Sequence, residues 1–180
     1  MSQWSESKRP EANQEKMQPE KENRAMMTEI TIPVAEHLYD ETARITRITG
    51  YGIQYEEFIR GQVSLPPEGA RFDIAFEGAI RGEKLNGEIS AVDYAEVRAD
   101  GRFQLDMRGK ITTDDGEKIA YVADGTFAPP EDDTGIAQAR YSVRLATASP
   151  KYRWVNKLQI WVRGSVDVNK GEIRVKAYAA

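Results

Sequence analysis

Cysteine is absent from the 180 residues, and histidine occurs once, at His37. Without thiols there is no disulfide, no thiolate nucleophile and no cysteine-ligated metal. A single histidine next to the N-terminal segment excludes a histidine-based triad and leaves no set of ligands for zinc or blue copper. No apolar run approaches the ~18 residues of a membrane-spanning helix. Residues 1–27 also lack the apolar stretch of a secretory signal, and no Asn-x-Ser/Thr sequon occurs. The formal charge is −4, with acidic and basic residues interspersed. A nucleic-acid surface needs a basic stripe, and an anionic membrane surface needs a polybasic cluster; neither is present. The acidic stretches "TTDDG" and "PPEDDTG" lack the spacing and closing Glu of a calcium loop and read as turns. No glycine-rich phosphate loop is present. These absences lead to the expectation of a cytoplasmic protein that works without metal or cofactor and binds neither nucleic acid nor membrane.

What is there changes character along the chain. Residues 1–27 carry five acidic and five basic residues, with Gln, Ser and Pro and one aromatic, Trp4. Such a stretch buries too little to offset its ordering entropy and is expected to be a disordered tail. The alternative is a helix docked on a partner subunit. Residues 28–180 are expected to form one domain. From about Thr42, short alternating stretches are separated by turn signals at Asn86-Gly87, Asp100-Gly101, Asp115-Gly116, Asp124-Gly125 and Lys170-Gly171. "RITRITGYGIQYEEF" alternates around Gly50 and Gly52, and "RFDIAFEGAI" sets Phe72, Ile74, Phe76 and Ile80 on one face. A helical turn fits near Ser149-Pro150. The fold class is all-β, a single antiparallel barrel of about eight to ten strands, which closes its edges where a sandwich would not.

The sharpest local question lies in "GRFQLDMRGKITTDDGEKIAYVADG", residues 101–125. Phe103, Leu105, Met107 and Ile111 share one strand face, and Asp106 and Arg108 share the other. On the residues alone, Asp106 and Arg108 read as an ion pair on a solvated face.

Three segments together resemble a known family: "RFDIAFEGAIRGEKLNGEI", "DYAEVRADGRFQLDMRGKITTDDGEKI" and "TASPKYRWVNKLQIWVRG". In order they carry a glycine-marked hairpin, an Asp-aromatic pair, an Asp-x-Arg strand, a Thr-Asp-Asp-Gly turn and a Tyr-x-Trp-x-Asn segment. The chain is similar here to domain of unknown function 3237, also called uncharacterised protein family 0311, over roughly residues 42–179. It departs from the pattern at Val155, where Leu is usual, at Tyr94, where Trp is expected, and in a shorter loop from Phe127 to Gly135.

The resemblance implies a small antiparallel barrel like the allene-oxide-cyclase and lipocalin barrels, often oligomeric, with most members of no known activity. Some fungal members resemble cofactor-free cyclases acting on aromatic, prenylated substrates. It also implies that Asp106 and Arg108 face the lumen, leaving Phe103, Leu105, Met107 and Ile111 outside under a neighbouring subunit. A homodimer or higher homo-oligomer is then expected. Asp93, Asp106 and Arg108 become the candidate catalytic groups: an Asp moves a proton and Arg108 stabilises developing negative charge. Arg71, Tyr94, Tyr152, Trp154 and Asn156 become candidate substrate contacts, the last three sharing a side if their segment is extended. The expected function is a cofactor-independent enzyme acting on a small, partly aromatic or polyketide-like molecule in the lumen by cyclisation, isomerisation or addition and elimination. The alternatives are a lipocalin-like carrier of a small apolar or aromatic ligand, and a structural barrel filled by its own side chains. Proton-transfer groups converging in a lumen separate the first from the second; the existence of a lumen separates both from the third.

Overall fold

Alternation of buried and exposed residues over eight segments, interrupted in β1 and fading at the ends of β7 and β8, produces the fold seen in a computed structural model, which describes residues 35–128, 130 and 134–179. The strands are β1 (Glu36–Gly50), β2 (Ala70–Arg81), β3 (Gly87–Val97), β4 (Phe103–Thr113), β5 (Lys118–Phe127), β6 (Ile136–Ala146), β7 (Ile160–Asp167) and β8 (Glu172–Ala179). Each pairs antiparallel with the next, and β8 returns to β1, closing an up-and-down barrel with no free sheet edge. The all-β barrel expectation holds, with eight strands. The proposed tail, residues 1–27, lies outside the described residues.

Local details depart from the sequence reading in three places. The first strand starts at Glu36 rather than Thr42 and carries two register shifts, between His37 and Tyr39 and between Ile45 and Arg47. Past Gly50 the expected alternation gives way to a short helix α1 (Tyr55–Ile59). Its Glu56 and Glu57 complement the positive N-terminal end, and its apolar residues Tyr55 and Phe58 turn onto Phe72. Asp124-Gly125 is not a turn but the interior of β5. A Cβ on Gly125 would lie 2.5 Å from Tyr141 Cβ, so glycine there lets β5 and β6 approach where Tyr141 enters the lumen. By contrast Gly101, Gly116 and Gly171 do close turns, at φ of 82°, 89° and 65°.

The two barrel ends are packed differently. At the end formed by the β2–β3, β4–β5 and β6–β7 connections, Ile80, Leu85, Ile89, Ile111, Ile119, Val155 and Ile160 are almost wholly buried. The connection to β7 folds over this end as a 3-10 helix (Arg153–Lys157). Tyr152 donates its hydroxyl to Asp115 Oδ1 at 2.8 Å, and Lys151 pairs with the same carboxylate, tying the cap to the β4–β5 turn. The opposite end is aromatic. Phe72 and Phe103 stack at 6.4 Å, Tyr55 meets Phe72 edge-on at 5.3 Å, and Phe127 meets Phe103 in the same way at 5.3 Å.

Candidate functional site

Inside the aromatic end lies a cavity of about 70 Å³. Its wall is mostly apolar, from Ile74, Phe76, Phe103, Leu105, Met107 and Phe127, with four polar side chains: Glu41, Asp93, Tyr55 and Tyr141. Among the described residues that line it there is no Lys, Arg or His.

Strand parity delivers each polar group. On β1, Tyr39, Glu41 and Ala43 point inward while Asp40, Thr42 and Arg44 point out. Glu41 is 2% exposed, and neither of its carboxyl oxygens has a hydrogen-bond partner. Burial alone pushes its pKa up to about 7. On β3, Asp93 points inward between Ala91 and Ala95 and is 7% exposed. The β3–β4 register passes from Asp93↔Met107 to Glu96↔Gln104 without pairing the residues between. There the main-chain N–H of Asp106 is donated to Asp93 Oδ1 at 2.9 Å. Burial raises the Asp93 pKa to about 7; that N–H opposes the rise and the Asp106 charge adds to it. Tyr141 enters from β6 with Tyr121 beside it, and the fully buried Tyr39 has a hydroxyl without a hydrogen-bond partner. Burial holds all three phenols well above their usual range, with Glu41 adding to each shift. Burial also pushes Tyr55 up to about 12. Two carboxyls with no counter-cation and a set of phenols therefore meet one apolar cavity, each able to hold a proton near neutral pH.

Of the expected site residues only Asp93 lines this cavity. The expectation that Asp106 and Arg108 face the lumen is corrected: both are on the outer wall, with side chains 49% and 64% exposed, paired through Arg108 Nε and Asp106 Oδ1 at 3.2 Å. The reason is that β4 has one apolar face, and barrel closure puts Phe103, Leu105, Met107 and Ile111 into the core. The outward apolar face on which a subunit contact was expected is thus absent. Arg71 and Tyr94 are also on the outer wall. Arg71 lies over the Tyr51 ring at 5.8 Å and 3.8 Å from Asp73, which is the register partner of Tyr94.

Tyr152, Trp154 and Asn156 are not an extended row either; they belong to the cap at the opposite end from the cavity. Asn156 accepts the Thr147 N–H and donates to the Thr147 carbonyl, both at 2.9 Å, which curls the segment. Trp154 is half-buried against the core. Among the described residues, no group of three or more His, Cys, Asp or Glu side chains comes together to hold a metal ion.

Glu41, Tyr39, Tyr55, Tyr121 and Tyr141 were not singled out from the sequence. A signal existed: Glu41 shares parity with Tyr39 and Ala43, and Tyr141 with Ala139 and Val143. An acid on the apolar side of a strand is a buried acid. With a first strand expected from about Thr42, Glu41 falls outside it; the strand in fact begins at Glu36.

The family described as "Protein of unknown function (DUF3237)" matches residues 67–180, more than half of the sequence. The chain belongs to this family. Among solved structures it is similar to a protein of unknown function from Clostridium acetobutylicum ATCC 824, with 22% identity and a TM-score of 0.65 over 81% of this chain and 97% of that one. A β-barrel-like protein from Acinetobacter baumannii AYE has 19% identity and a TM-score of 0.64 over 83% and 98%. A protein from Penicillium herquei described as an enzyme has 18% identity and a TM-score of 0.57 over 83% and 98%. At these identities the likeness is one of fold. No curated protein matches the chain. Among the described residues no helix is long and apolar enough to cross a membrane, which says nothing about strands.

Proposed function

We propose that this DUF3237 barrel is a cofactor-independent enzyme that moves a proton within a small, partly aromatic or polyketide-like molecule, by cyclisation, isomerisation or addition and elimination. The observation that carries this reading is the pair of buried carboxyls, Glu41 and Asp93, on one apolar cavity with no cation to neutralise them. Burial without a counter-charge is costly unless it serves a purpose, and a carboxyl poised near neutral pH serves proton transfer. Asp93 is the proton-transfer group. Asp106 contributes through its main-chain N–H, and Arg108 on the outer wall has no part in stabilising charge in the cavity. Phe103 and Phe127 take the role of holding an apolar body that Tyr152 and Trp154 were expected to fill. A ligand pocket for a drug-sized molecule is usually ~300–1,000 Å³. The cavity of about 70 Å³ therefore admits the reacting end of a molecule, with its remainder toward α1.

That same volume favours a second reading, a structural barrel filled largely by its own side chains. Turnover separates the two. A test substrate is 1-(2-hydroxyphenyl)prop-2-en-1-one, which closes to 4-chromanone by adding its phenol oxygen across the alkene. The phenolic proton ends on carbon, so the reaction is an isomerisation that needs no co-reactant. Closure faster than the buffer rate, and returned to that rate by Asp93→Asn in a folded protein, supports the enzyme. Closure at the buffer rate across a panel of such hydroxy-enones leaves the structural barrel.

A further inference from the structure

Glu41 presents a problem that proton transfer at Asp93 does not resolve. It is buried at 2% exposure, both its carboxyl oxygens are without partners, and its charge acts on three buried phenols, Tyr39, Tyr121 and Tyr141. Proteins seldom leave buried polar atoms unpaired, because each forfeits its hydrogen bonds to water. Three such atoms, both Glu41 carboxyl oxygens and the Tyr39 hydroxyl, lie on one face of β1. Glu41 and Tyr39 leave β1 two residues apart on the same face, and Tyr121 and Tyr141 enter from β5 and β6. Glu41 and Tyr141 reach the cavity surface; Tyr39 and Tyr121 are fully buried behind it.

The chemistry of the set defines what is missing. A carboxyl in an apolar site with no cation keeps its proton and becomes an O–H donor, and each phenol is another. Asp93 differs, because the Asp106 N–H on its Oδ1 favours the ionised form. Asp93 therefore takes the role of base, and Glu41, with no donor to favour its ionised form, that of an O–H donor. The result is a base on one side and a bank of O–H donors on the other. What the donors lack is an acceptor oxygen. A ligand arriving as a carboxylate or phosphate would bring a full charge into a cavity without cations, next to Asp93. A neutral carbonyl brings none until it reacts, and then its oxygen develops negative charge where preorganised donors count most.

We propose that Glu41 and Tyr141, backed by Tyr39 and Tyr121, form a donor cluster that receives the carbonyl oxygen of a neutral ketone or enone and stabilises the enolate formed when Asp93 takes a proton from the adjacent carbon. This rests on the enzymatic reading above and deepens it by naming the substrate class. The step is balanced: the C–H bond breaks, its proton goes to the Asp93 carboxylate, its electron pair becomes the C=C bond, and the carbonyl π pair moves onto the oxygen held by Glu41 and Tyr141. Return of the proton to a different atom completes an isomerisation. Glu41 and Tyr141 touch the reacting oxygen; Tyr39 and Tyr121 are positioning residues.

The test uses 4-nitrophenol, whose phenolate oxygen mimics an enolate and whose absorbance reports its ionisation. The full-length protein is titrated at pH 6 by difference absorbance. Binding is expected to shift the spectrum toward the phenolate form. It is expected to weaken at least tenfold in Tyr141→Phe and in Glu41→Leu, and to persist in Asp93→Asn. Glu41→Gln, which keeps a donor at the same place, is expected to fall between wild type and Glu41→Leu, and circular dichroism establishes that each variant is folded. No binding by the wild type, or equal binding by folded Tyr141→Phe and Glu41→Leu, overturns the donor cluster. Because the probe is not turned over, these outcomes stand apart from the chromanone assay. Binding with the expected variant pattern but no turnover of any enone would leave the donor cluster in place and remove the enzymatic reading.

Discussion

Asp40 and Glu41 are consecutive acids on one strand, yet they belong to different electrostatic worlds. Asp40 looks outward, where His37 lies 2.7 Å and Lys176 3.4 Å away, and the hydrogen bond from His37 is the main cause holding its carboxyl below the usual range. Glu41 looks inward at a cavity with no cation, and burial holds its carboxyl well above that range. β4 repeats the contrast in neutral form, with Leu105 and Met107 in the lumen and Asp106 and Arg108 outside. The lesson is that a one-residue step along a barrel strand exchanges one dielectric for another. The same carboxyl is a surface ion on one side and a proton carrier on the other.

Substitutions and pH can break this comparison, and the expected effects fall in order. Largest is Phe103→Ala, which empties the centre of the aromatic end and should cost about 3–5 kcal/mol, read by denaturant unfolding. A loss below about 1 kcal/mol would mean that the lumen is not the core.

Next comes pH. Folded, Glu41 and Asp93 keep their protons up to about pH 7, whereas in the unfolded chain they lose them near the ordinary carboxyl values. Unfolding between those limits releases protons, so stability is full below about pH 4 and falls as pH rises through 7, by about 3–4 kcal/mol for each group. The outer acids Asp40, Asp100, Asp115 and Asp167 behave oppositely. Their hydrogen-bonded partners hold them low, and what they contribute is lost on acidification. Melting temperature followed from pH 4.5 to 8 should therefore decline, and should decline less in the Glu41→Gln, Asp93→Asn double variant. A rising curve would place these carboxyls in contact with water or a cation.

Smaller, and of opposite sign, is Glu41→Leu. Replacing an unpartnered buried carboxyl with an apolar side chain should stabilise the barrel by about 1–3 kcal/mol at neutral pH, visible as a higher melting temperature. Destabilisation instead would show that Glu41 has partners in solution that the fold alone does not supply. Smallest is Arg108→Ala. The exposed pair with Asp106 contributes about 0–1 kcal/mol, so unfolding should be nearly unchanged. A loss of 3 kcal/mol or more would return this pair to a buried position.

How much of this was legible varies from element to element. Phe72, Ile74, Phe76 and Ile80 were assigned to one face of β2 and are all buried, because period-two alternation needs only neighbours in sequence. The family was legible from three short segments. Asp93 was named and lines the cavity, although the reason for its poise, a freed N–H at Asp106, belongs to a strand pairing that no local pattern reveals. For Asp106 and Arg108, the hydrophobic pattern of β4 pointed outward and the resemblance pointed inward; the hydrophobic pattern proved the better guide. The shared side expected for Tyr152, Trp154 and Asn156 depended on an extended segment; the 3-10 helix replaces it, and the bonds from Asn156 to Thr147 that curl it span nine residues of sequence.

By itself, then, the sequence determined an all-β chain, its turns at Gly101, Gly116 and Gly171, its family, and the absence of cysteine and of histidine beyond His37. Tertiary structure alone decided that Glu41 and Asp93, fifty-two positions apart, share one cavity with Tyr141 and with no cation. Alternation along a strand marks its apolar face but does not say which residues of the eight faces meet one another. That is settled when β8 pairs with β1, because closure removes one whole face of the sheet from water and raises the cost of every charge that remains on it.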